Sequence, residues 1–161
     1  MEKILYRVYS SRRVSLALKI ISHVSVLVSV LAYAVGLAIA FSEGLEFFIR
    51  LAVAGAIPFI LLSVLRRLIN APRPYELYPF YKEAPKGKRG MSFPSRHVFS
   101  AFTVSALVSV ISPWLSVAAA VAGITLAVSR VLLGIHFMRD VTAGALVGAV
   151  SGLLGLFIIV I

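Results

Sequence analysis

The sequence predicts an all-α fold: a polytopic membrane bundle of about five transmembrane helices, preceded by an N-terminal interfacial helix. Hydrophobic residues make up 60% of the 161 positions, whereas soluble domains average about 45 to 50%. Mean hydropathy is +1.00. The apolar residues form five runs, most of them close to the roughly 20 residues that a helix needs to cross a bilayer. We therefore expect residues 1–161 to form a single membrane-embedded domain.

The elements follow from the order of apolar and polar segments. Residues 1–13 mix basic and apolar side chains, which suits a short helix at the lipid interface. Five spans come next, separated by short polar turns and by one long loop over residues 70–94. The predicted spans are Val14–Phe41, Phe47–Ile69, Ser95–Ile111, Trp114–Leu133 and Val141–Ile161. We expect Pro58 to kink the second span, Ser95 to begin the third and Gly134 to end the fourth.

Small residues in the last span indicate close helix packing. Gly144, Gly148 and Gly152 recur every fourth residue, which places them on one face of a helix. Such stripes allow the backbones of membrane helices to approach each other, so this one predicts packing and not chemistry.

The charge distribution indicates an anionic partner and an orientation. Sixteen Lys and Arg residues against six Asp and Glu give a net charge of +10. In so apolar a chain, membrane lipids and a phosphorylated lipid are better candidates than nucleic acid. Counting spans places fifteen of the sixteen basic residues on one side of the membrane, with Arg50 toward the other. By the positive-inside tendency that side is cytoplasmic in the cell membrane, and an outward-facing site is the alternative.

Three polar segments at helix ends meet on the basic side: residues 66–74, 93–97 and 129–140. Their arginines are Arg66, Arg73, Arg96 and Arg130. Gathering these charges is unfavourable unless an anion binds among them, and guanidinium groups match phosphate oxygens. Ser95 adds a hydroxyl at a helix N-terminus, which is itself suited to anions. The segments therefore predict a phosphate site.

Two histidines could supply the chemistry of phosphoryl transfer. His97 and His136 could act as nucleophile and proton donor on opposite sides of the phosphorus. If the chain turns helical after Gly134, Asp140 lies one turn beyond His136 on the same face and can orient its ring. The absence of cysteine excludes a thiolate nucleophile and cysteine-ligated zinc.

These segments resemble the motifs of the type 2 phosphatidic acid phosphatase superfamily, which are Lys-x6-Arg-Pro, Pro-Ser-Gly-His and Ser-Arg-x5-His-x3-Asp. Here they read Arg66-x6-Arg73-Pro74, Pro94-Ser95-Arg96-His97 and Ser129-Arg130-x5-His136-x3-Asp140. The third motif matches fully. Arg66 stands in place of the usual Lys, and Arg96 in place of the usual Gly.

The resemblance implies a membrane lipid phosphatase that uses no metal or cofactor. His136 would attack phosphorus to form a phosphohistidine, Asp140 would orient it, and His97 would protonate the leaving oxygen. The phosphate oxygens would be held by Arg66, Arg73, Ser95, Arg96 and Arg130. Phosphatidic acid, phosphatidylglycerol phosphate and polyprenyl diphosphates all qualify as substrates. The two departures from the motifs predict retained activity with an altered headgroup preference.

Three other functions stay open at this point. Two histidines and one carboxylate could form the facial triad of a metal hydrolase, although four arginines beside a divalent cation argue against it. The phosphohistidine could pass its phosphate to a second lipid instead of water. The charges could also only anchor a non-enzymatic, lipid-binding bundle. The sequence leaves the oligomeric state open.

Overall fold

The computed structural model describes residues 11–78 and 89–160, and every regular element in these segments is a helix. In chain order the helices are α1 (Arg12–Glu43), α2 (Leu45–Ile69), α3 (Pro74–Leu77), α4 (Arg96–Val108), α5 (Pro113–Leu132) and α6 (Met138–Val160). The interfacial helix predicted over residues 1–13 lies outside the described residues, except at its end, where α1 already begins.

Four of the described helices, α1, α2, α5 and α6, are long and apolar enough to cross a membrane. Large apolar side chains such as Leu31, Leu61 and Leu154 are exposed along them. In water such surfaces would be unfavourable, but they suit contact with lipid chains. Helix α2 continues through Pro58 and ends at Asn70, whose left-handed backbone closes the last turn. Gly134, with φ of 61°, follows the end of α5 as predicted.

Helix α4 is shorter than the 17-residue span predicted for Ser95–Ile111. It has 13 residues, about 20 Å at 1.5 Å per residue, against a hydrocarbon core of about 30 Å. It ends because the backbone tightens, with the amides of Ser109 and Ile111 bonding three residues back. Its side chains are the most buried of the bundle, and α1, α2, α5 and α6 all contact it. Helix α4 is therefore a central core helix.

The glycine stripe brings α6 against α4, which confirms its predicted packing role. A Cβ atom on Gly144 would lie 2.6 Å from the carbonyl oxygen of Ser95, and one on Gly148 would lie 2.4 Å from that of Phe99. Only glycine allows so close an approach. The Ser95 amide donates to the carbonyl oxygen of Asp140 at 2.8 Å. This packing therefore joins the N-terminal ends of α4 and α6, where the predicted site residues lie.

Candidate active site

The structure brings all eight predicted site residues together at one end of the bundle. They are Arg66, Arg73, Ser95, Arg96, His97, Arg130, His136 and Asp140. His97 lies close enough to His136 and to three of the arginines to interact with their charge, and Ser95 is bonded to Asp140 through the backbone. Residues separated by up to 74 positions in the chain (66 to 140) thus form one cluster.

His136 and Asp140 are buried next to each other, at 2% and 0% exposure. His136 precedes α6, and Asp140 lies in its first turn, so the pair forms although the helix begins later than the predicted start after Gly134. His136 Nδ1 and Asp140 Oδ2 are 3.6 Å apart, which is longer than a hydrogen bond. The Phe137 amide donates to the same Oδ2 at 3.0 Å. The carboxylate is thereby held in place beside the imidazole ring.

A hydroxyl that the motifs do not include lies between these two groups. Ser92 Oγ donates to Asp140 Oδ2 at 2.5 Å and is 3.3 Å from His136 Nδ1. The Ser92 amide donates to the carbonyl oxygen of Ala71 at 2.9 Å. Sequence analysis missed Ser92 because a serine in a loop carries no local signal of such a contact.

The surroundings of His136 favour its neutral form. Burial is the largest effect and lowers its pKa from the ordinary value, while the interaction with Asp140 acts in the opposite direction. The positive charges of Arg73 and Arg66 lower it further. The net direction is downward, so the ring is neutral at neutral pH and one nitrogen keeps its lone pair.

Arg66 and Arg73 are both buried and bind backbone carbonyl groups of the segment before α4. Arg66 donates to the carbonyl oxygens of Pro94 and Met91. Arg73 Nε donates to Gly90 at 3.0 Å, and its Nη1 donates to Ile135 at 3.4 Å. A guanidinium has five N–H donors, so each side chain can brace this segment and still present donors to an anion. The bracing role was not predicted.

Glu76 completes the bracing of this segment. Its Oε1 accepts from the amides of Arg73 at 3.1 Å and Gly90 at 2.7 Å. The sequence does contain a signal for the short helix α3: Pro74 at its first position and Glu76 at its third are typical of a helix start.

Unpartnered polar atoms are concentrated in the cluster. Of the four buried side-chain nitrogen and oxygen atoms that lack a hydrogen bond within the described part of the chain, three belong to predicted site residues: Ser95 Oγ, Arg130 Nε and Asp140 Oδ1. A buried group without a partner costs about 1 to 3 kcal/mol. Ser95 begins α4 but does not use its hydroxyl to cap the helix. A hydroxyl and a guanidinium nitrogen left unpaired next to His97 suit the oxygens of a bound anion.

Arg96 extends toward α2. Its Cζ atom lies 5.4 Å from the centroid of the Phe59 ring, within the range of a cation–π contact. Phe59 also lines an apolar cavity of about 390 Å³ between α1, α2 and α4. The stacking explains how a long side chain is accommodated next to His97, and it leaves the Arg96 charge close to both His97 and Arg66.

The donor set does not suit a metal triad. Residues 11–78 and 89–160 include both candidate histidines and Asp140, yet they contain no group of three His, Cys, Asp or Glu side chains placed to hold a metal ion. The facial-triad alternative therefore lacks its ligand geometry.

Comparison with known proteins points in the same direction as the motifs. The family model described as PAP2 superfamily matches residues 28–159. Lipid A 1-phosphatase from Porphyromonas gingivalis is 32% identical over 101 residues, which are 60% of this chain and 22% of that protein. The chain thus spans about a fifth of the length of this relative.

Two solved structures are similar over nearly the whole chain. The crystal structure of Aquifex aeolicus LpxE has a TM-score of 0.71 and 25% identity, covering 95% of this chain and 93% of that one. The PAP2-type phosphatidylglycerolphosphate phosphatase from Bacillus subtilis has a TM-score of 0.53 and 22% identity, covering 96% and 90%. At that identity the second similarity is one of fold alone.

Proposed function

The chain belongs to the PAP2 superfamily, and we propose that this integral membrane protein is a lipid phosphatase that removes phosphate from a membrane lipid through a phosphohistidine intermediate. One observation carries the proposal. A buried neutral histidine next to a carboxylate lies among arginines, and the buried Ser95 Oγ and Arg130 Nε nearby make no hydrogen bond within the described residues. This arrangement combines a nucleophile with polar groups suited to hold an anion.

In the proposed reaction, the unprotonated nitrogen of His136 attacks phosphorus while the bond from phosphorus to the lipid oxygen breaks. His97 gives its proton to the leaving lipid oxygen. Water then attacks the phosphohistidine with His97 as base, which releases inorganic phosphate and restores both histidines. Ser95, Arg130 and the remaining donors of Arg66 and Arg73 hold the phosphate oxygens and stabilise the charge that builds up on them.

The arginines that surround His97 affect its role as an acid. Arg130, Arg96 and Arg66 all repel a proton on its ring. A phosphate carrying two negative charges offsets that repulsion when it binds. We expect His97 to take up its proton together with the substrate. It would then be protonated, and able to act as an acid, only in the enzyme–substrate complex.

The substrate class is a lipid phosphate monoester or diphosphate. Helices α1, α2, α5 and α6 expose apolar faces that suit a membrane, and the cluster lies at one end of this bundle. A lipid headgroup could enter there while the acyl chains of the lipid stay in the bilayer. The printed names of two relatives, lipid A 1-phosphatase and phosphatidylglycerolphosphate phosphatase, also describe enzymes of lipid phosphates. Lipid A 1-phosphate therefore joins the three candidates that the motifs imply.

The test is phosphate release by the detergent-purified protein from a panel of these lipids in the presence of EDTA. Release that continues in EDTA supports a metal-independent lipid phosphatase and ranks its substrates. Loss of release in EDTA, with recovery on adding a divalent cation, would contradict metal independence. Absence of release from every lipid would contradict hydrolysis.

We expect the activity to fall at acidic pH, with a midpoint below about 6.5, the ordinary pKa of histidine. His136 has to be neutral to attack, and burial lowers its pKa. The enzyme should therefore lose activity only as the pH falls through that lowered pKa. The measurement is kcat/KM against pH for a monoester and a diphosphate. A midpoint above 6.5 in both substrates would contradict a neutral His136.

Replacing Arg96 by glycine should change selectivity more than activity. We expect kcat/KM for a diphosphate to fall about 10- to 150-fold more than for a monoester, because Arg96 would contact the second phosphate and such a charge-assisted contact is worth about 1.5 to 3 kcal/mol. Arg67→Ala is the matched control, since Arg67 is exposed and adjacent to Arg66. Equal losses on both substrates would show that Arg96 does not select the headgroup.

The site is proposed to face the cytoplasm in the cell membrane. Because the chain has no cysteine, the exposed Arg89 and Ser42, near opposite ends of the bundle, can each be changed to cysteine. A membrane-impermeant thiol reagent applied to intact cells should label Ser42→Cys and spare Arg89→Cys. The reverse pattern would place the site on the outer face.

A further inference from the structure

We propose that Ser92 is a positioning residue whose hydroxyl connects His136 to Asp140 and determines which ring nitrogen of His136 is free to attack. The proposal rests on the function proposed above and concerns a residue outside the three motifs. It follows from the positions of three buried side chains, those of Ser92, His136 and Asp140, at 0%, 2% and 0% exposure.

The hydrogen-bonding capacity of a hydroxyl determines the direction of each contact. A hydroxyl has one proton to donate and lone pairs to accept with, whereas a carboxylate can only accept. Ser92 therefore commits its proton to Asp140 Oδ2, at 2.5 Å. Toward His136 Nδ1, at 3.3 Å, it can only accept. The ring must then carry its proton on Nδ1, which leaves Nε2 unprotonated and nucleophilic.

The direct contact between His136 and Asp140 does not replace this connection. The distance from His136 Nδ1 to Asp140 Oδ2 is 3.6 Å, longer than the 3.3 Å from the same ring nitrogen to Ser92 Oγ. When the phosphohistidine forms, the ring becomes cationic. The hydroxyl then links that charge to the carboxylate.

The backbone around Ser92 is held independently of its side chain. Its amide donates to Ala71, and Arg66 binds the carbonyl groups of Met91 and Pro94. Replacing Ser92 by alanine thus removes one hydroxyl and leaves these three contacts in place. The variant tests the hydroxyl itself.

We expect Ser92→Ala to lower kcat about 10- to 100-fold, the scale seen when a hydrogen-bond partner that orients a metal-bound histidine is removed. KM should change by less than about threefold, because the hydroxyl does not touch the substrate. Ser105→Ala is the matched control. It also deletes a largely buried serine hydroxyl, one that donates to the Ser116 carbonyl oxygen at 2.9 Å, and we expect wild-type kcat.

A double-mutant cycle separates positioning from general stabilisation. If Ser92 acts through Asp140, Ser92→Ala should cost less than about threefold in kcat when Asp140 is already asparagine, whereas a structural effect would reduce kcat by the same factor in both backgrounds. Ser92→Cys keeps a weak donor of similar size and should retain intermediate activity.

A kcat for Ser92→Ala within twofold of wild type, or equal losses in the two Asp140 backgrounds, would overturn the proposal while leaving the phosphatase function intact. If Ser92→Ala does not fold, Ser92→Cys becomes the test of the proposal. A wild-type kcat in a folded Ser92→Cys protein would likewise overturn the proposal. Failure of the proposed function would show differently, as a wild-type protein that releases no phosphate.

Discussion

His136→Ala should lower phosphate release by about 10⁴-fold or more, because loss of a nucleophile removes the covalent route entirely and leaves only the binding contribution of the site. The ring is 2% exposed, and its polar contacts within residues 11–78 and 89–160 are with Ser92 and Asp140. The measurement is kcat and KM on the best lipid of the panel, with thermal unfolding to confirm that the variant folds.

His23→Ala is the matched control. His23 lies on the exposed face of α1, where its Nδ1 contacts the carbonyl oxygen of Lys19 at 2.7 Å. We expect near wild-type turnover from this variant. A His136→Ala protein that keeps more than about a tenth of wild-type kcat would remove His136 from the role of nucleophile.

Asp140→Asn should lower kcat by about 10³- to 10⁴-fold, the scale seen when a buried carboxylate that orients a catalytic histidine is neutralised. Asparagine has the same shape and can still accept from the Phe137 amide. With its amide oxygen in the position of Oδ2 it can also accept from Ser92, but it lacks the charge that stabilises a cationic phosphohistidine. The measurement is kcat together with the midpoint of thermal unfolding.

The control for this substitution is Glu46→Gln, which makes the same chemical change at an exposed residue that pairs with Arg50 at 2.6 Å. Its turnover should equal that of the wild type. An Asp140→Asn protein with kcat within threefold of wild type would show that the carboxylate has no part in the reaction.

The fold could be predicted closely because its signals are local. Runs of apolar residues determine where each membrane helix lies, and Gly134 and Asn70 end two of them through backbone conformations that suit these residues. One exception is the short helix α3, which lies within the loop predicted over residues 70–94. Another is α4, whose apolar run extends to Ile111 while the helix ends at Val108. The tightened turn is followed directly by Ser112, the N-cap of α5, and by Pro113, its first residue. Hydropathy does not detect such a change in backbone geometry.

The candidate site was only partly accessible from sequence. The motif spacing identified His136, Asp140 and the arginines, and the structure brings them together. The motif spacing could not reveal that Arg66 and Arg73 bind backbone carbonyl groups. Nor could it reveal that Ser92, 44 positions before His136, lies against the His136 ring. Such contacts depend on how α2, α4 and α6 pack. Every residue type has a backbone carbonyl group, so the sequence does not indicate which of these groups an arginine binds.

The central claim is that phosphate passes through His136. The most direct measurement mixes the protein with a lipid carrying radiolabelled phosphate, stops the reaction with base within one turnover, and locates the label by peptide mapping. We expect transient label on the peptide that contains His136, and no label in the His136→Ala variant. When an excess of unlabelled substrate is added, the label should be lost as the phosphohistidine is hydrolysed. Label on another residue, or turnover with no labelled protein at any time within the first cycle, would contradict the phosphohistidine mechanism.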